Sequence, residues 1–157
     1  MITGWFDDIE LGEETVTEGR TVTEADIVAF ASLSGDWHPL HTNIEFARKG
    51  PFGERIGHGM LALAITTGLA TIDRASVLAF YGVDRLRFIK PTLINDTIHV
   101  ATTVTGKSDR NEHSGTVSVD VKAINQRDET ILVATFMFLV ARRPVSLENG
   151  PIESGVR

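Results

Sequence analysis

The 157-residue chain contains no cysteine, which excludes disulfides, thiolate nucleophiles and cysteine-ligated zinc ribbons. It has no surplus of positive charge: 15 Lys and Arg against 21 Asp and Glu leave a net charge of −6 and a pI near 5.3. The Lys and Arg do not gather into a basic face, so nucleic acid is not an expected partner. No hydrophobic run is long enough for a bilayer. The best candidate, 57–72, is free of Asp, Glu, Lys and Arg but falls short of the roughly 20 apolar residues that span a membrane. The first residues, Met1-Ile2-Thr3-Gly4-Trp5-Phe6-Asp7-Asp8, show no basic region leading into an apolar stretch, so no secretory signal is expected and the cytoplasm is the expected compartment.

What remains, 42% hydrophobic and 23% charged residues, is the composition of an ordinary globular domain. At this length one domain is expected, with about two thirds of the unfolded surface buried. The 57–72 segment reads as a buried helix. Met60, Leu61, Leu63, Ala64, Ile65, Leu69 and Ile72 cover nearly every angle of the helical wheel, and the helix would run a little over about 20 Å. An earlier helix is predicted over Glu24–Ser34. Thr23 and Asp26 form a capping-box pattern, Ile27, Phe30, Ala31 and Leu33 an apolar stripe, and Gly35 a stop. A short helix is predicted over 44–49 with Asn43 as its cap.

From Val77 onward the period changes to two. Leu86 and Phe88 alternate with Arg85 and Arg87; Ile98, Val100, Thr102 and Val104 share one face; Val117, Val119 and Val121 share another. The near-continuous apolar run 130–140 reads as a central strand. Turns are predicted at 95–96, 108–114 and 125–129, the last closing an antiparallel hairpin. The class is therefore α+β, a single domain over 1–143 with a mobile tail over 144–157.

The stretch that can carry chemistry is Ser34-Gly35-Asp36-Trp37-His38-Pro39-Leu40-His41. A carboxylate and an imidazole five residues apart leave a helix end on a loop stiffened by Pro39. Such a pair can share and orient one water, one group accepting a proton while the other donates. Taken alone, the same residues are better explained by Asp36 capping a turn and His41 making a surface hydrogen bond. The second feature, Ile56-Gly57-His58-Gly59-Met60, precedes the apolar helix. The free N–H groups of a first helical turn, approached closely at Gly59, suit a developing oxyanion. Two glycines easing a tight turn would also account for it.

In this order the two segments, with Phe52-Gly53 between them and Arg87-Phe88-Ile89-Lys90-Pro91 and Asn95-Asp96-Thr97 after them, resemble the MaoC-like dehydratases, the family that includes (R)-specific enoyl-CoA hydratases. The resemblance runs from about Trp5 to Val140. It implies a hot-dog fold, an antiparallel β-sheet wrapped around a long central α-helix, and a homodimer or dimer-based oligomer with the acyl chain near the subunit interface. It also implies Asp36 and His41 as the catalytic pair and Gly59 as the residue whose N–H binds the thioester carbonyl. Thr67 follows two turns beyond Gly59, with core packing the expected role. His38 stands where the family commonly has Asn, and Asn43 where it often has Asp.

The implied activity is reversible hydration of trans-2-enoyl thioesters to (R)-3-hydroxyacyl thioesters, carried by CoA or acyl carrier protein. The thioester is the substrate and no cofactor is expected. Two alternatives stay open: a hot-dog acyl-thioester hydrolase and a non-catalytic acyl-thioester binding protein. A metal site on Asp36, His38, His41 and His58 is disfavoured because Pro39 interrupts the spacing. Arg48, Lys49, Arg55, Arg87 and Lys90 are the candidate cations for the carrier's phosphates. Trp5 and Trp37 are expected to pack, and His99 and His113 to lie exposed.

Overall fold

The predicted capping box forms. In the computed structural model, which describes residues 2–70 and 72–144, Asp26 N–H donates to Thr23 Oγ and Thr23 N–H to the Asp26 carboxylate. They start α1, Glu24–Ser34. Gly35 ends it in the left-handed region at φ +76°, a conformation glycine adopts without a Cβ penalty. Two short helices follow, α2 (Pro39–Thr42) and α3 (Ile44–Ala47), the latter capped as expected by Asn43 Oδ1 accepting from Phe46 N–H. The central helix α4 is Gly59–Leu69, about 16 Å long and shorter than the predicted 57–72. Its start is fixed because Gly57 N–H donates to the Thr92 carbonyl. Ile72, predicted helical, instead bridges Ile2.

The strands are β1 (Glu14–Val16), β2 (Arg20–Thr21), β3 (Val77–Phe88), β4 (Thr97–Asn111), β5 (Ser114–Asn125) and β6 (Thr130–Ala141). They form one antiparallel sheet in the order β1-β4-β5-β6-β3, with β2 also on β4. β1 and β2 carry too few residues for a period and were not foreseen. The β4–β5 turn is tighter than the predicted 108–114. Asn111 Oδ1 accepts the N–H groups of His113 and Ser114, so pairing continues to Asn111. The 125–129 turn is where it was expected, with Asn125 Oδ1 accepting from Arg127 and Glu129 N–H.

The period-two faces point inward. Ile98, Val100 and Val104 from β4 and Val117, Val119 and Val121 from β5 are buried against Leu61 and Ile65 of α4 and Ile27 of α1. Each fully buried aliphatic side chain contributes roughly 1.5–3 kcal/mol, so the sheet–helix contact dominates stability. The Phe6 ring closes one end directly over Gly115, where a Cβ would lie 2.2 Å from the ring.

α4 is not covered all round, as its apolar wheel had suggested. Leu61, Ala62, Ile65 and Thr66 are buried, but Met60 is 54% exposed and Ala64 and Gly68 are open. Leu78, Phe80 and Tyr81 of β3, an edge strand, are exposed as well. Trp37, expected to pack, is exposed; His113 is exposed and His99 half-buried. Beyond residue 144 the tail lies outside the described residues. Among those described, no helix is long and apolar enough to cross a membrane.

Candidate active site

The C-terminus of α1 delivers the first functional side chain. Ser34 Oγ donates to the Phe30 carbonyl and accepts from Asp36 N–H, and an Asp36 carboxylate oxygen accepts from His38 N–H at 3.2 Å. The segment is thus a series of side-chain-to-backbone turns. Pro39 occupies the first position of α2, where its missing N–H costs nothing. His41 therefore sits in a helical turn, not in the loop expected of it. His38 Nδ1 accepts from Leu40 N–H at 3.1 Å and caps that turn. An asparagine cap could do the same, so the departure at His38 preserves the local fold.

His41 Nδ1 lies 2.8 Å from the Ile56 carbonyl. A carbonyl can only accept, so Nδ1 carries the hydrogen and Nε2 of the neutral ring presents a lone pair. His58, the N-cap residue of α4, is buried, only 3% exposed. Its Nε2 donates to the main-chain carbonyl of Asp36 at 2.9 Å, while its Nδ1 has no partner among the described residues. The His41 and His58 rings stack with centroids 3.8 Å apart. A ligating atom from each of Asp36, His41 and His58 lies within 4.8 Å of the other two. Asp36 and His41 are thus brought together, and His58, named at the sequence level only as a turn residue and a possible ligand, joins them. The signal that could have found it is a histidine at the entrance of an otherwise apolar helix.

Burial pushes the His41 imidazole below its ordinary value, and the neighbouring His58 and His38 add to this; the Ile56 carbonyl and Asp36 oppose it. The site can therefore hold a neutral imidazole beside a carboxylate. Asp36 itself is exposed.

Gly59, the first residue of α4, lines a cavity of about 310 Å³ together with His41, Phe52, Ile56, Phe88 and Thr92. Its N–H is one of the unpaired donors of the first turn. A Cβ there would meet the Phe88 ring at 2.9 Å, so any other residue would have to displace that half-exposed ring. Phe52 also lines a larger cavity of about 610 Å³ with His38, Phe46 and Lys49. Thr67 does not face the pair: its hydroxyl donates to the Ala64 carbonyl, and it lines a separate small cavity with Phe80, Phe136 and Phe138.

Asp36, His41 and His58 have the donor types of a metal set and lie within 4.8 Å of one another, with the two imidazole planes stacked 28° apart. His38 does not complete the set, because its Nδ1 is engaged by Leu40. Of the candidate cations, Arg48 pairs with Glu45, Arg55 with Glu24 and Lys90 with Glu129, and Arg87 donates to the Leu86 carbonyl. Lys49 has no acidic partner among the described residues.

With the geometry in place, comparison with known proteins gives it a family. A profile of the MaoC like domain matches residues 8–126. Protein MaoC of Klebsiella aerogenes is 40% identical over 112 residues, 70% of this chain but only 33% of that protein, so the chain matches a third of its length. The (R)-specific enoyl-CoA hydratase of Rhodospirillum rubrum is 35% identical over 106 residues, covering 68% of this chain and 73% of the relative. Among solved structures, the monoamine oxidase regulatory protein of Archaeoglobus fulgius superposes with a TM-score of 0.85 at 40% identity, covering 92% of this chain and 98% of that one. A Mycobacterium tuberculosis protein described as a double hot-dog fold superposes with a TM-score of 0.79 at 20% identity, covering 95% of this chain and 47% of that one, a likeness of fold alone. The chain belongs to the MaoC-like domain family and has its hot-dog fold.

Proposed function

We propose that the protein reversibly hydrates trans-2-enoyl thioesters to (R)-3-hydroxyacyl thioesters, with Asp36 and His41 as the acid–base pair and Gly59 as the carbonyl-binding residue. The observation that carries this reading is an Asp36 and a His41 ligating atom within 4.8 Å of each other, with His41 and Gly59 lining one cavity. A carboxylate oxygen and the bare Nε2 of His41 are both acceptors. Water between them donates one hydrogen to each and turns a lone pair toward C3.

Its oxygen then bonds to C3, the C2=C3 π pair moves to C2, and negative charge spreads onto the C1 oxygen at the Gly59 N–H, at the positive end of α4. His41 Nε2 takes the water proton and returns it to C2. The product gains hydroxyl at C3 and hydrogen at C2, and His41 ends neutral, as it began. The (R) configuration rests on the resemblance to the Rhodospirillum relative's named activity. No cofactor takes part.

The functional unit is a homodimer or a dimer-based assembly. The open face of α4 at Met60, Ala64 and Gly68 and the unpaired edge of β3, with Leu78 and Tyr81 exposed, are surfaces that a second copy would cover. Lys49, beside the larger cavity, is the cation best placed for a phosphate of CoA or of an acyl carrier protein.

The test is a chain-length panel of enoyl-CoA substrates, starting with crotonyl-CoA and followed by loss of the enoyl chromophore. Asp36→Asn and His41→Gln are each expected to slow turnover by about 10²–10⁴-fold. Near-wild-type turnover in either variant removes the pair from the mechanism. Release of free CoA thiol in place of hydration assigns the site to thioester hydrolysis.

A further inference from the structure

His58 takes no proton in the scheme above, yet its side chain touches both partners. Among the described residues no hydrogen bond joins the Asp36 and His41 side chains, so something else must set their separation. The His58 Nε2–H donates to the Asp36 carbonyl, and the His58 ring lies flat on His41 at 3.8 Å, with Phe30 packed against it at 5.0 Å. The Nδ1 is buried without a partner among the described residues. A buried histidine kept only for packing would be expected to satisfy both nitrogens, and leaving one bare costs stability. The bare nitrogen follows from the tautomer: the neutral ring has one N–H, and it is directed at Asp36.

We propose that His58 is the positioning residue of the acid–base pair, its Nε2–H fixing the Asp36 backbone and its ring face fixing the His41 imidazole. The proposal rests on the hydration reading for its kinetic arm and stands apart from it for its spectroscopic arm. The titratable and charged groups facing His41 are Asp36 and His38 from its own segment, His58 from the entrance of α4, and Lys90 across the cavity.

Two variants separate the two contacts. His58→Phe keeps a ring face and loses the donor; His58→Gln keeps an N–H at about the distance of Nε2 and loses the ring. With folding checked by thermal melting, His58→Phe is expected to lower kcat about 100-fold, the scale of a misplaced reacting group, while KM changes less than about threefold. His58→Gln recovers at least about tenfold of the lost kcat through its amide N–H. Long-range ¹H–¹⁵N spectra of the wild type are expected to show His41 protonated at Nδ1 and His58 at Nε2, with the His41 signals changed in both variants.

Wild-type kcat in a folded His58→Phe protein overturns the proposal, as does a loss confined to KM. So does an unshifted His41 spectrum in both variants. A wild-type protein that hydrates no enoyl-CoA removes the hydration reading, and the spectra then decide the role of His58 by themselves.

Discussion

Polar side chains gather around a buried Asp96 and around a buried His58, and the two groups are completed differently. At the turn between β5 and β6, Asp96, 1% exposed, accepts from Leu93 N–H, Gln126 Nε2 and Arg127 Nη1. Beside it Glu129 accepts from Asn125 Nδ2, Lys90 Nζ and Arg127 Nε. Every carboxylate oxygen named there has a donor. Around His41 and His58, one buried nitrogen has no partner among the described residues, the His41 ring lines a cavity, and two imidazoles stack on each other. The first arrangement lowers the energy of the folded chain. The second leaves hydrogen-bonding capacity unfilled, as a site that must accept water and substrate requires.

The sharpest way to break this contrast is to exchange the readouts. Asp96→Ala leaves three donors without an acceptor at a buried position and should cost about 2–3 kcal/mol, discounted because Arg127 is partly exposed. At this chain length that lowers the melting temperature by roughly 5–10 °C, while kcat per folded molecule stays close to wild type. His41→Gln should do the reverse, with turnover lost and melting nearly unchanged. If Asp96→Ala abolishes turnover in protein shown to be folded, the turn belongs to the site and the two regions are one.

The same contrast explains what could be read from the residues alone. Thr23, Asp26 and Gly35 marked the ends of α1 because caps are local, and the alternation in β4 and β5 marked the buried face because burial repeats every second residue. Asp36, His41 and Gly59 were legible because their spacing on two segments is a family pattern. His58 was not, since its role depends on which carbonyl its ring reaches, and that carbonyl is 22 residues away. Nor was the open face of α4: hydrophobicity on every side says that a surface will be covered, not by which chain. The 108–114 turn was overestimated because Ser, Asp and Asn are turn formers by composition, and here strand pairing overrode them up to Asn111.

A smaller effect tests the electrostatics of the site. His41 has to be neutral to accept a proton, and burial holds it below its ordinary value of 6.5. The acid limb of kcat/KM should therefore lie below pH 6.5, in both the hydration and dehydration directions, since His41 begins and ends each turnover neutral. The lowered value also means that the folded state binds fewer protons than the unfolded one near this pH. His41 thus contributes stability that is complete above 6.5 and is lost as pH falls through its folded value. A limb at or above 6.5 in wild type would show that the imidazole is more solvated than its contact with Ile56 and His58 implies.

The smallest expected effect belongs to the fully paired region. Hydrogen bonds from Asn125, Lys90 and Arg127 hold the Glu129 carboxyl down at about 2, against an ordinary 4.5. A depressed carboxylate stabilises the folded chain above its unfolded value, and the contribution fades as pH falls from 4.5 toward 2. Melting temperature measured against pH for wild type and Glu129→Gln should show a gap that is constant at neutral pH and closes across that acid window. The gap should be modest, because the group is solvent-accessible and screened. It should also narrow with added salt. Turnover at neutral pH is the control that keeps the two regions apart: Lys90 lines the cavity of His41 and Gly59 as well as pairing with Glu129, so a loss of kcat in Glu129→Gln would mean that the turn steers the site through that lysine.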